Sequence, residues 1–195
     1  MLPPADAPLE EEYEKVYTEL GRAITKWQSV EAELARTFTS ATAGGNYASN
    51  VAFHTILSFD SKLTMTTAVI TFVYRDDPQL HEEWNNLRNR LARRNDKRNR
   101  LAHFAISCSS ENSSGHRVHL RPNVADMRAA FRWKGEPPKI FQSDLVTIGM
   151  SFDEVASALK HFRERWFGDK TAQIRQKNSM RKAVHELRAF SDPHR

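Results

Sequence analysis

Apolar residues recur at three- and four-residue steps along the N-terminal part of the chain: Val16, Leu20, Ile24, Trp27, Leu34 and Phe38. That period places them on one face of a helix, and a helix with one apolar face must bury it against other elements. A long first helix is therefore predicted from about Leu9. The Pro-rich residues 1–8 read as a loose tail, and Gly44-Gly45-Asn46 as the break that ends the helix.

The same period returns twice before position 105. From about Ser49 to Tyr74 the chain holds Val51, Phe53, Ile56, Leu57, Leu63, Val69, Ile70, Phe72 and Val73, with Ser58, Asp60 and Ser61 marking a kink or break. A third helical region opens at Pro78, where the missing N–H would have had no partner anyway. Its stripe runs Trp84, Leu87, Leu91 and Leu101, and the same steps place Arg94 and Arg98 on the core-facing side. From Ile106 to about Gly149 the helical period disappears. Ser109 to Gly115 reads as a loop, and His116 to Arg121 alternates, with Val118 and Leu120 on one side. Phe131, Trp133, Pro137-Pro138 and Lys139 to Phe141 suggest short strands, so a small hairpin-like insertion is expected at 106–149. Ser151-Phe152-Asp153-Glu154 offers a capping box for a further helix using Val155, Leu159, Phe162 and Trp166, with Gly168 as its stop. The basic stretch at 169–195 is either a helix packed on a partner or a solvated tail.

Composition agrees with a mostly α chain. Only 7 of 195 residues are Gly, 39% are hydrophobic and 27% charged. This length suits a single domain with its own core. One cysteine, Cys108, cannot close an internal disulfide, which makes a reducing, cytoplasmic setting the default. No signal-peptide pattern opens the chain. The most apolar run, Leu63 to Tyr74, is too short to span a bilayer. The net charge of +5 favours an anionic partner.

Most of that charge is concentrated. Arg88, Arg90, Arg93, Arg94, Lys97, Arg98 and Arg100 face a single Asp96. Such a run is either a solvated helix face or a phosphate-attracting surface; if the latter, Arg90, Arg93, Arg94, Lys97 and Arg100 are the candidates for gripping RNA. The run ends in Arg98-Asn99-Arg100-Leu101-Ala102-His103, which combines a guanidinium, an amide and an imidazole. Asn99 and His103 are four apart, share a face and can meet, so Asn99 could orient the ring. Arg98 and His103 are five apart, about 140° around an ideal helix. They converge only if the helix starts or bends within the motif, or if two copies meet across a two-fold axis. An imidazole can move a proton at neutral pH, and a guanidinium can hold two oxygens of a phosphate gaining charge. His103 could equally be a core-edge histidine bonded to a backbone carbonyl. No cofactor or metal is called for: no H-E-x-x-H occurs, and one Cys cannot build a zinc site. Glu31 lies on the stripe of the first helix and either reaches solvent or forms an ion pair, with Arg94 or Arg98 as the cation. Lys62 is expected to send its ammonium to the surface.

The series Trp27-x-x-x-Glu31-x-x-Leu34, Phe59-x-x-Lys62-Leu63, Trp84-x-x-Leu87 and Arg98-Asn99-x-Leu101-Ala102-His103 resembles bacterial members of the HEPN superfamily. The resemblance implies a helical bundle with the motif near the start of a late core helix. It also implies a metal-independent endoribonuclease, with Arg98 and His103 catalytic, Asn99 their polar neighbour, and a homodimer as the working form. A toxin or phage-defence role, with an antitoxin or regulatory protein as partner, follows from the resemblance alone, as does the alternative of a module that binds RNA or protein without cutting. Ala105 stands where toxins of the family often carry Tyr, which argues against control by modification there.

Overall fold

The computed structural model describes residues 7–42, 47–111, 115–123, 138–168 and 180. The expected break at Gly44-Gly45-Asn46, the strands proposed at Phe131 and Trp133, and nearly all of 169–195 lie outside these residues. The described chain is mostly α with one hairpin: α1 (Ala7–Ala41), α2 (Tyr47–Thr55), α3 (Phe59–Val73), α4 (Pro78–His103), β1 (Phe104–Glu111), β2 (Gly115–Pro122) and α5 (Gln142–Phe167). α1 begins at Ala7, inside the stretch expected to be a loose tail.

Two compact units are formed, each from two segments: 1–28 with 93–153, and 29–92 with 154–195. In the first, Val16, Ala23 and Trp27 of α1 are buried, as are Leu101, Val118, Leu120, Ile140, Leu145, Ile148 and Phe152. Trp27 meets Phe152 edge-on at 5.1 Å between ring centroids. α1 and α5 pass close together here, since a Cβ on Gly149 would lie 3.3 Å from Lys26 Cδ and 3.7 Å from the Ala23 Cα. The hairpin is antiparallel, with Ile106 opposite Leu120 and Cys108 opposite Val118. Ile140 bridges to the other edge of β2, exchanging two 2.9 Å backbone hydrogen bonds with Leu120. The Val118 N–H donates to Glu12 on α1 at 3.2 Å, which ties the hairpin to the helix. Val118 and Leu120 are both buried as their alternation predicts, but His119 between them is buried too, at 2% exposure, while Arg117 and Arg121 on its face are exposed.

In the second unit Trp84 is central. It is fully buried, its indole N–H donates to Thr67 at 3.1 Å, and its ring lies 5.4 Å from Phe162. Phe162 meets Phe167, Phe167 meets Tyr74, and Phe38 meets Phe53, all with centroids under 6 Å apart. The Ser58 hydroxyl accepts from Ser61 N–H at 3.3 Å and caps α3, so the serine cluster does mark a break, between α2 and α3. Asp77 accepts from Leu80 N–H at 3.1 Å and caps α4, with Pro78 in the first turn.

Two further expected boundaries are wrong. α5 does not start at Ser151 but at Gln142, so the non-helical segment closes earlier than 149. The Asp144 carboxylate reaches back to the Phe141 N–H at 2.9 Å, the reciprocal arm of a capping box. The Ser151 hydroxyl instead donates to the Ile148 carbonyl at 2.7 Å, a bond available in the middle of a helix. The loop read at Ser109 is likewise strand, since β1 continues to Glu111. Gly168 does follow the last helical residue. Its N–H donates to the Glu164 carbonyl at 3.1 Å, and a Cβ there would sit 2.5 Å from that oxygen.

Candidate functional site

The motif occupies the last turns of α4, not the start of a helix, and His103 is the final helical residue before β1. α4 is unbroken through it. The buried stripe runs Leu80, Trp84, Leu87, Leu91, Asn95 and Leu101. Asn95, 3% exposed, therefore takes the slot that the sequence steps assigned to Arg94. Arg94 and Arg98 flank that line and are half-buried, which spares both guanidiniums full desolvation. Arg94 Nε donates to the Ser151 carbonyl at 3.4 Å. Arg98 Nη1 donates to Asn99 Oδ1 at 3.2 Å.

This arrangement changes two expected roles. Asn99 uses its carbonyl oxygen to hold Arg98 and not to orient His103. His103 is exposed, so it is not a core-edge histidine. On an unbroken helix the five-residue separation turns Arg98 towards the core line and His103 about 140° away, towards solvent. The remaining cations follow helical spacing. Arg93, Lys97 and Arg100 are separated by steps of four and three and form one stripe, with Arg93 and Arg100 exposed and Lys97 half-buried. Arg90, which belongs to the other unit, is half-buried.

Glu31 does take a cation, and Lys62 supplies it. The Lys62 ammonium lies 3.1 Å from Glu31 Oε2 and 5.4 Å from the centre of the Phe53 ring. Lys62 is only 8% exposed, so its ammonium does not reach the surface as expected. Glu31 and Lys62 each stand on an apolar stripe, and two such charges of opposite sign satisfy one another once packing brings the stripes together.

No family model, curated protein or solved structure matches the chain. Among the described residues no helix is long and apolar enough to cross a membrane.

Proposed function

We propose that the chain is a metal-independent endoribonuclease of HEPN type that works as a homodimer, in a toxin or defence setting where an antitoxin or regulatory protein restrains it. One observation carries the reading: an exposed histidine ends an unbroken basic helix, five residues after a half-buried arginine. Within one chain these two groups face apart. A two-fold axis beside the end of α4 would let the arginine of one chain serve the histidine of its partner, as a self-complementary interface permits.

In such a cleft one His103 takes the proton of the ribose 2′-hydroxyl. The 2′-oxygen forms a bond to phosphorus, the P–O5′ bond breaks, and the leaving 5′-oxygen takes its proton from water, so one His103 and one Arg98 complete the reaction. Arg98, steadied by Asn99, holds the oxygens that gain charge. The stripe Arg93, Lys97 and Arg100 draws in the backbone on either side, with Arg90 and Arg94 adding to the field. A positioned proton donor or acceptor contributes about 10²–10⁴ in rate. Purified protein is therefore expected to cut single-stranded RNA in EDTA and leave cyclic-phosphate or 3′-phosphate ends. His103→Ala should abolish cutting, and activity that survives this change removes His103 from the mechanism.

Two observations favour a second reading, a module that docks RNA without cutting it. Asn99 is committed to Arg98 and leaves the His103 ring unoriented, and Arg93, Lys97 and Arg100 form a stripe of their own. A docking module binds RNA with steep salt dependence yet leaves it intact.

A further inference from the structure

A polar concavity lies in the unit formed by 29–92 and 154–168, away from the motif in the chain and independent of the nuclease reading. Its volume is about 630 Å³, within the range of small-molecule sites. Two helix stripes make its walls. On α2, Tyr47, Asn50 and His54 are separated by steps of three and four, and all three are exposed. On α1, Ala32 and Ala35 supply a floor of small side chains that leaves the space open, and Arg36 stands beside them. The opposite side of the α1–α2 pair is locked by Phe38 against Phe53 at 5.6 Å, and Thr42 donates to the Ser49 hydroxyl at 3.1 Å where the two helices meet.

α5 adds Arg163, and one carboxylate organises both guanidiniums. Glu33, largely buried, accepts from Arg36 one turn on and from Arg163 Nε at 3.4 Å. Arg163 Nη2 also lies 3.8 Å from Glu164, which Lys160 approaches at 4.0 Å, so three cations stand against two carboxylates and the mouth keeps a positive excess, already in place before any ligand arrives. That lowers the ordering cost of binding an anion. The Tyr47 ring is 85% exposed, at the rim, with a flat face open to another ring. Fixed guanidiniums, an imidazole, an amide and an exposed aromatic are the groups that recognise a phosphate joined to a planar heterocycle.

We propose that this concavity binds a nucleoside monophosphate, with Arg36 and Arg163 on the phosphate and Tyr47 stacked on the base. The same chemistry is offered by a free mononucleotide and by the phosphorylated end of an RNA chain. Calorimetric titration of the full chain with AMP tests it, adenosine serving as the comparison without phosphate. One AMP per chain is expected, with adenosine weaker by about tenfold or more, since it lacks the charge-assisted bonds. Arg36→Gln and Tyr47→Ala alter exposed side chains and should fold normally; each is expected to weaken AMP about tenfold. Competition by a short 5′-phosphorylated RNA would assign the site to chain ends as well, and its failure would assign it to free nucleotides. Either result keeps the site. Absence of AMP binding at millimolar concentration, or binding that neither substitution weakens, overturns it. Because His103→Ala leaves this concavity intact, loss of nuclease activity and loss of AMP binding report on separate readings.

Discussion

At the scale of single residues, the informative side chains are polar groups placed among apolar ones. The Tyr74 hydroxyl is buried without a hydrogen-bond partner among the described residues, while its ring packs on Phe167 at 5.2 Å. Burial pushes its phenol well above the ordinary tyrosine range. The protonated form is thus favoured by folding: the contribution is fully present below about pH 10, the unfolded value, and is lost as pH rises towards the folded value. Tyr74→Phe keeps the ring and removes the stranded hydroxyl. Its stability at pH 7 should be unchanged or higher by about 1 kcal/mol, and its alkaline decline in urea melts should be shallower than that of the parent. A clear loss of stability at pH 7 would mean that the hydroxyl has a partner. Lys62 and Glu31 invite a different test. Glu31→Ala leaves a buried ammonium, and because Glu31 is partly exposed the cost belongs at or below the low end for buried pairs, about 2–3 kcal/mol. Glu31→Ala with Lys62→Met should cost less than the two single changes added together, by about 1 kcal/mol or more. Simple additivity in denaturant melts would show that the pair is not coupled.

At the scale of elements, α5 separates two kinds of signal. Ser151-Phe152-Asp153-Glu154 has the residue types of a capping box but sits mid-helix, whereas Asp144 performs the capping. Asp144→Ala should destabilise by about 1 kcal/mol. Ser151→Ala should stay within about 0.5 kcal/mol of the parent, because alanine's helix preference offsets a modest hydroxyl bond. Equal losses at both positions, read by thermal melts, would restore Ser151 as a cap. The contrast shows what was legible in the sequence. The stripe of α1, Pro78 at the start of α4, Ser58 between α2 and α3 and Gly168 after α5 are local signals and were all readable. So were Val118 and Leu120 as the inward face of a strand. The start of α5 was not, because a Ser followed by an acid also occurs inside helices and only the backbone decides which role it takes. Asn95 escaped notice because a polar residue on a stripe is ambiguous until its neighbours are known. The partner of Glu31 escaped it because pairing two charges across separate helices depends on packing that spacing alone does not fix. In the candidate site, the residue types and the 140° divergence of Arg98 and His103 were legible, whereas the commitment of Asn99 to Arg98 was not.

At the scale of the whole molecule, the divergence becomes a prediction about stoichiometry. If the arginine and histidine that serve one phosphate came from the same chain, α4 would have to break between them, and it does not. The proposed nuclease must then draw Arg98 from one chain and His103 from another. Arg98→Ala alone supplies two histidines and no clamp, and His103→Ala alone supplies two clamps and no histidine. Each should be inactive on single-stranded RNA. A dimer assembled from one chain of each kind holds one intact arginine and one intact histidine on opposite subunits. Unfolding the two variants together and refolding them as a mixture should therefore restore cutting that neither shows alone, and the restored activity should fall on dilution below the dimer dissociation constant. A mixture that stays silent while containing mixed dimers, verified by a size tag on one variant, would place both groups in the same chain or neither in the reaction. Wild-type activity that persists in a verified monomer would exclude the shared cleft directly, because a lone α4 turns its arginine towards the core and its histidine towards water.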